Sequence, residues 1–156
     1  MSSDLKQDIL DSIDDINDLL RSYEILFSTI EQKEPDIIEL AALGTVLHSF
    51  YNGVEGIFIL IAKQIDKTTP SNAAWHQALL IQMTEKTSAR SCVISLDIAT
   101  LLAPYMKFRH FFRHAYSFML DWVRLKPLVN ELISTWDTVK EAFTIFCDTQ
   151  FQNDAL

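Results

Sequence analysis

The fold is decided by the stretch LHSFYNGVEGIFILIAKQID, residues 47–66, in which apolar side chains recur every three or four positions. This spacing places them on one face of an α-helix. We predict that the helix begins near Asp36, because aspartate is a preferred N-cap residue. Its other side carries His48, Asn52 and Glu55, again at helical spacing. The apolar stripe comprises Leu40, Leu43, Leu47, Tyr51, Val54, Phe58, Ile61 and Ile65.

The same spacing extends through most of the chain. An N-terminal stripe comprises Leu5, Ile9, Ile13, Ile16, Leu20, Tyr23, Phe27 and Ile30. A short middle stripe comprises Trp75, Leu79 and Met83. A C-terminal stripe comprises Leu125, Val129, Leu132, Trp136, Val139, Phe143 and Phe146. Because no strand pattern competes with these stripes, the sequence predicts an all-α fold. We expect an antiparallel bundle of about five helices in a single domain, residues 1–156.

Helix ends are predicted from prolines and from clusters of turn residues. Pro35 ends the first helix, and DKTTPSN, residues 66–72, forms a loop. Residues 93–102 form a helical or buried segment that Pro104 interrupts or kinks. Pro127 fits the first turn of the last helix, unless that helix begins earlier.

The composition is typical of one globular domain, with 49% hydrophobic and 22% charged residues in 156. No continuous apolar run approaches the length of about 18 residues that spans a bilayer. The N-terminus, MSSDLKQDIL, lacks the pattern of a signal peptide. We therefore predict a cytoplasmic protein without a membrane partner. Cys92 and Cys147 lie among apolar residues without CxxC spacing, which predicts two buried thiols.

Positive charge and histidine are concentrated in RHFFRHAY, residues 109–116. The chain has a formal net charge of −8, yet residues 103–126 carry five basic side chains against one aspartate, a net charge of +4. The remainder therefore carries −12. Such an acidic body repels nucleic acid everywhere except at one patch. Charge alone leaves two interpretations open, a local phosphate site and a solvated basic helix face.

The side chains of this stretch suit metal-free cleavage of RNA. Histidine transfers protons near neutral pH, and arginine presents a fixed fork of donors that matches a phosphate. A base helps the 2′-hydroxyl attack the adjacent phosphorus, an acid protonates the leaving oxygen, and a cation stabilises the phosphoryl oxygens. No cofactor is expected, because the nucleophile is already in the substrate.

Other chemistries fit the sequence less well. His110 and His114 have the spacing of two zinc ligands on a helix, but Phe111 replaces the glutamate of the HExxH motif and no third ligand is evident. No serine elbow, P-loop or Rossmann motif occurs. A row of aspartates without neighbouring His or Cys is interpreted as a solvated helix face rather than a metal site. It comprises Asp4, Asp8, Asp11, Asp15 and Asp18.

The spacing Arg-x4-His-x-Tyr, formed by Arg109, His114 and Tyr116, resembles the signature of HEPN-domain ribonuclease toxins. It is similar in particular to toxins of the HepT/MntA type, which are paired with minimal nucleotidyltransferase (MNT) antitoxins. His110 fits the polar position that follows the arginine in the family pattern. The stretch quoted at the outset is similar to the family's second helix, and WHQALL, residues 75–80, resembles its third.

This resemblance implies the toxin of a type VII-like toxin–antitoxin system, acting as a homodimeric, metal-independent RNA endonuclease. Arg109 would bind the scissile phosphate, His114 would be the general acid or base, and His110 would assist. The MNT antitoxin would attach AMP to Tyr116 and so silence the toxin. Transfer RNA is one candidate substrate.

Helical geometry sets a condition on this mechanism. Each residue of an α-helix turns about 100°, so Arg109 and His114 would lie about 140° apart on one continuous helix. We predict that the backbone leaves the helix before Tyr116, that a partner chain supplies the missing groups, or both. Lys107 and Arg113 lie outside the motif and are predicted to add to the RNA-binding field.

Two questions stay open at the level of sequence. The polar residues at positions 48, 52 and 55 either lie near the cleft or form a surface stripe with an internal hydrogen bond at Glu55. The alternative to the ribonuclease is a catalytically silent helical module that binds a nucleotidyltransferase partner or a nucleotide substrate. Retention of Arg109, His110, His114 and Tyr116 together favours the enzyme.

Overall fold

The computed structural model describes residues 2–116 and 119–152, which form six α-helices and no strand. The helices are α1 (Ser2–Ser22), α2 (Glu24–Gln32), α3 (Ile37–Ile61), α4 (Trp75–Gln82), α5 (Leu96–His114) and α6 (Trp122–Gln150). A π-helical turn, Ala62–Asp66, extends α3. The predicted all-α fold is confirmed, with one helix more than the five or so expected.

The additional helix arises because the predicted N-terminal helix is divided at Tyr23. The Tyr23 N–H donates to the Leu20 carbonyl at 3.3 Å, three residues back rather than four. The Ser22 hydroxyl also donates to the Asp18 carbonyl at 2.7 Å, a contact that tends to bend helices. Because α2 buries none of its residues, packing does not enforce a straight continuation.

α3 is the central helix and packs against α1, α4, α5 and α6. It begins with a capping box that confirms the predicted N-cap. The Asp36 carboxylate accepts from the Glu39 N–H at 2.8 Å, and the Glu39 carboxylate accepts from the Asp36 N–H at 3.0 Å. Its buried residues are Leu43, Gly44, Val46, Leu47, Phe50, Tyr51, Val54, Glu55, Ile57, Phe58 and Ile61.

Within the part of the chain that the structure describes, one helical segment, Ile37–Asp66, is long and apolar enough to cross a membrane by length and composition alone. Its place at the centre of the bundle accounts for this composition, since 56% of its most apolar window is buried inside the fold. A core helix that is apolar on several sides meets the same criterion, so the segment is weak evidence for a membrane span.

Two of the four prolines, Pro104 and Pro127, lie inside helices rather than at their ends. The sequence predicted that Pro104 interrupts or kinks the segment of residues 93–102; α5 continues through Pro104, so the interruption is wrong. The carbonyl that loses its donor to the proline belongs to Thr100, and both residues are exposed, so water can replace the lost hydrogen bond. α6 begins at Trp122, after the N-cap Asp121, so Pro127 lies beyond its first turn.

One of the two cysteines is not where the sequence predicted. Cys147 is buried on α6, and burial raises the pKa of its thiol to about 11. Cys92 is exposed, which corrects the prediction of a buried thiol. It lies in the connection before α5, where the following Val93 and Ile94 reach the core and Cys92 does not.

A buried ion pair, the Arg90 clamp, holds the end of α3 to the connection that follows α4. The Nε and Nη2 atoms of Arg90 donate to the two carboxylate oxygens of Asp66 at 2.6 and 2.8 Å. Arg90 also donates to three backbone carbonyls at 2.7–3.1 Å, those of Gln82, Glu85 and Ser91. Because the clamp joins both ends of this segment, it fixes where α4 lies beside α3.

Candidate active site

The stretch RHFFRHAY begins in the last turns of α5, which lie directly on α3. A Cβ added to Gly44 of α3 would meet the ring of Phe112 at 2.8 Å and the side chain of Leu120 at 3.0 Å. Only glycine fits this approach without a shift of its neighbours. The motif is therefore seated against the most buried helix of the protein.

α5 ends at His114, and Ala115 is extended, with φ −105° and ψ 146°. The backbone thus leaves the helix before Tyr116, which is one of the two alternatives that helical geometry required. This end does not bring Arg109 and His114 together, because both remain in the helix. Arg109 contacts α3 and α4, whereas the exposed His114 ring packs against the His110 ring with centroids 5.1 Å apart.

Arg109 is half-buried and links three helices. Its Nε–H donates to the side-chain oxygen of Asn52 on α3. Its Nη1 group donates to Nε2 of His76 on α4 at 3.5 Å. Among the residues that the structure describes, the Nη2 group of Arg109 makes no hydrogen bond. Arg109 is therefore held on two of its nitrogens and keeps donors for an anion.

His76 connects Arg109 to a buried carboxylate. Its Nδ1 atom lies 2.7 Å from Oε2 of Glu55, whose side chain is 4% exposed. Because a guanidinium can only donate, Nε2 of His76 is the acceptor, and the proton lies on Nδ1, which donates to Glu55. The imidazole also stacks on the indole of Trp75, with ring centroids 3.6 Å apart. Both ring nitrogens and one ring face are thus fixed.

On the other side of Arg109, Asn52 forms hydrogen bonds with both Arg109 and His48. The oxygen of Asn52 accepts from Arg109, and its amide nitrogen donates to Nε2 of His48 at 3.0 Å. Burial, then the charges of Arg109 and Arg113, lower the pKa of His48. Five side chains thus form one continuous series, which we call the polar chain: Glu55, His76, Arg109, Asn52 and His48.

A cleft of about 290 Å³ opens beside the polar chain. It is lined by Ala73, Ala74, His76, Met106, Lys107, Arg109 and His110. Three cationic or titratable residues of α5 and one histidine of α4 therefore line one cleft. Within residues 2–116 and 119–152, no group of three or more His, Cys, Asp and Glu side chains is placed to hold a metal ion.

The structure brings together part of the site predicted from sequence. Lys107, Arg109 and His110 line the cleft, whereas Arg113, His114 and Tyr116 do not. Tyr116 lies beyond the end of α5 with 72% of its surface exposed. The polar residues of α3 also belong to the site, since Asn52 contacts Arg109 directly and Glu55 does so through an imidazole.

Sequence reasoning missed His76. It lies 33 residues from Arg109 and 21 from Glu55, so no local spacing connects it to either. The signal that could have identified His76 is its place in WHQALL, residues 75–80, the stretch that resembles the family's third helix.

Arg-x4-His-x-Tyr begins on α5 and ends just beyond it, in an all-α bundle with the arginine at the wall of a cleft, as the resemblance to HEPN-type proteins leads one to expect. The chain belongs to the HepT-like family: a family model described as HepT-like protein matches residues 42–150, which include α4, α5, α6 and most of α3. The resemblance to HepT-type HEPN toxins is thereby confirmed. Comparisons with curated proteins and with solved structures gave no match. Every residue of the polar chain lies inside the matched range.

Proposed function

We propose that the protein is the toxin of a toxin–antitoxin module and acts as a metal-independent RNA endonuclease. Its membership of the HepT-like family supports this class of function. The observation that carries the proposal is the set of hydrogen bonds that the Arg109 side chain makes and its position at the cleft. Its guanidinium is held by two partners, keeps its Nη2 group unpaired among the described residues, and lines a cleft with Lys107 and His110.

The reaction that this arrangement supports is a transesterification within the RNA. The 2′-oxygen attacks the adjacent phosphorus and the bond to the 5′-oxygen breaks, leaving a 2′,3′-cyclic phosphate and a 5′-hydroxyl. A base takes the 2′-proton, and an acid returns a proton to the 5′-oxygen. Arg109 binds the non-bridging oxygens, on which charge builds in the transition state. His114 transfers a proton, and His110 assists at the cleft wall.

A homodimer supplies the geometry that one chain lacks. Arg109 and His114 diverge on α5, so one phosphate can contact both only when they come from two copies, each contributing one residue. Exposed apolar side chains lie near the motif and support such an interface. They are Leu101, Phe111, Met119 and Val123. Two patches of +4 would then face each other on an acidic body and attract RNA. Lys107 and Arg113 contribute to this field.

Regulation by the partner enzyme is the second element of the proposal. An MNT-type antitoxin would transfer AMP to the Tyr116 hydroxyl, forming a phosphodiester and releasing pyrophosphate from ATP. The high exposure of Tyr116 outside the helix supports this role. The added phosphate would place negative charge beside the basic residues of α5 and weaken their attraction for RNA. We expect both proteins to act in the cytoplasm, with transfer RNA as one candidate substrate.

The direct test is to incubate purified, unmodified protein with total RNA in EDTA. Wild-type protein should cleave, and Arg109→Ala and His114→Ala should not. Arg21→Ala is the matched control, because Arg21 is an exposed arginine on α1 outside the family match. Absence of cleavage by folded, unmodified dimer would instead favour the catalytically silent binding module.

Complementation tests the shared site. Mixing inactive Arg109→Ala with inactive His114→Ala and allowing subunits to exchange should restore about a quarter of wild-type activity, because half the dimers are mixed and each has one intact site. Continued inactivity after proven exchange would contradict a site built from two copies. For Tyr116, the intact mass of toxin produced with active antitoxin should rise by AMP units, and the rise should be absent in Tyr116→Phe.

A further inference from the structure

We propose that His76 is a positioning residue for Arg109, and that Glu55 prepares His76 for this role. The inference rests on the proposed ribonuclease function and names residues of the same site that the Arg-x4-His-x-Tyr motif does not contain. The geometry points to the Nε2 atom of His76 as the group on which cleavage depends. His76 acts through Arg109.

The first step of the argument is that Arg109 needs to be oriented. Its side chain is flexible and half-buried, and a phosphate site requires a guanidinium held in one plane. Contacts on Nε and Nη1 come from two different helices, α3 through Asn52 and α4 through His76. Two anchors on different nitrogens fix the plane, and the Nη2 group is left without a partner among the described residues.

The second step concerns the proton of His76. A neutral imidazole carries one proton, and only the nitrogen without it can accept from Arg109. The Glu55 carboxylate, 2.7 Å from Nδ1, accepts a hydrogen bond from the Nδ1–H and so favours the tautomer in which Nε2 keeps its lone pair. A carboxylate that selects the tautomer of a functional histidine is a recurring arrangement in active sites.

The third step separates this role from a purely structural one. A buried carboxylate such as Glu55 needs a hydrogen-bond donor, and His76 supplies it whether or not Arg109 functions. The two roles use different atoms of the imidazole. Satisfaction of Glu55 requires a donor at the Nδ1 position, whereas positioning of Arg109 requires an acceptor at the Nε2 position.

Two amide substitutions separate these atoms. The amide of His76→Gln reaches the Nε2 position, where its oxygen can accept from Arg109, but it loses the contact with Glu55. The amide of His76→Asn stays near the Nδ1 position, where its nitrogen can donate to Glu55, but it does not reach Arg109. The measurements are kcat and KM for RNA cleavage in EDTA by unmodified dimer, with thermal unfolding of each variant.

Positioning predicts that His76→Ala and His76→Asn lower kcat by about 10- to 100-fold, as expected for a misplaced reacting group. His76→Gln should retain at least several-fold more activity than His76→Asn, even if it is the less stable of the two. KM should change little. Gln77→Ala is the matched control on the same helix, because Gln77 is exposed.

Activity of His76→Asn equal to or above that of His76→Gln would overturn the proposal, as would wild-type kcat in a folded His76→Ala. Either result, obtained with active wild-type protein, would leave the ribonuclease proposal standing. Failure of the wild-type protein to cleave RNA would instead reject the ribonuclease, and the positioning role with it. Should His76→Ala not fold, the comparison of the two amide variants decides.

Discussion

Arg90 and Arg109 each join helices through hydrogen bonds, yet they use their guanidinium groups differently. Arg90 is buried, and its five donors meet five acceptors, two on Asp66 and three backbone carbonyls. Arg109 is half-buried, and among the described residues only two of its nitrogens have partners. The first arginine has no donor left for another molecule. The second is held firmly and still has donors to offer.

One residue type can therefore stabilise helix packing in one place and, in the proposed ribonuclease, bind a phosphate in another. A closed network such as the Arg90 clamp stabilises the packing of the helices around it. In an open network such as the polar chain, the exposed members contribute little stability. The Arg109 guanidinium instead keeps hydrogen-bond donors at the wall of a cleft. The two arginines therefore predict opposite outcomes when each is removed.

The largest effect is expected for the clamp. Arg90→Ala should lower the free energy of unfolding by about 3–5 kcal/mol, because it leaves the Asp66 carboxylate buried without its charge partner. Urea denaturation followed by circular dichroism measures this change. The double variant Asp66→Asn, Arg90→Ala should be less destabilised than the sum of the two single variants. A loss below about 1 kcal/mol for Arg90→Ala would erase the distinction between the two networks.

Removal of the other arginine should affect the reaction instead. Arg109→Ala should reduce RNA cleavage by about 10²–10³-fold, the usual result of removing one group that stabilises transition-state charge. Its free energy of unfolding should change by less than about 1 kcal/mol. Arg109→Lys should recover little activity, because an ammonium cannot hold both Asn52 and His76 with the same planar fork. Parallel cleavage and urea measurements on one preparation test this contrast.

Acid should open the clamp. Burial acts to raise the pKa of Asp66, but hydrogen bonds from Arg90 and Gln82 and the charge of Arg90 outweigh it, so the pKa is lowered from 3.8. A carboxyl whose pKa is depressed by folding contributes stability above its unfolded pKa and loses it as pH falls through the folded value. As the pH falls below about 4, wild-type protein should therefore lose stability more steeply than Asp66→Asn. Equal slopes would show that the clamp contributes no pH-dependent stability.

The smallest effect is a titration shift in the polar chain. Burial lowers the pKa of His48, and the charges of Arg109 and Arg113 lower it further. Arg109→Ala should therefore raise this pKa, and Arg90→Ala should leave it unchanged. NMR titration of the histidine ring protons reports both. An unchanged pKa of His48 in Arg109→Ala would mean that the charge of Arg109 does not act on the His48 ring.

The helices could be predicted because their signal is local. Apolar stripes at helical spacing located α3 and α6, and Asp36 was recognisable as a cap. The division at Tyr23 was not predictable from the apolar stripe, because the stripe continues unbroken to Ile30. The interruption expected at Pro104 does not occur. The Thr100 carbonyl that loses its donor is exposed to solvent, which permits the helix to continue.

The site was predictable only where its residues are close in sequence. Arg109, His110 and Lys107 lie within one turn of α5 and were each predicted as site residues, and all three line one cleft. The contacts of Arg109 with Asn52 and His76 span 57 and 33 residues and depend on how three helices pack. A single sequence carries no direct record of such pairs.

The place of α3 in the fold has a consequence for how the protein loses activity. The same helix supplies most of the core and three members of the polar chain, His48, Asn52 and Glu55. Segments that open independently are those with few buried contacts, and α3 is the opposite. The three members of the polar chain on α3 should therefore lose their places only when the bundle as a whole unfolds.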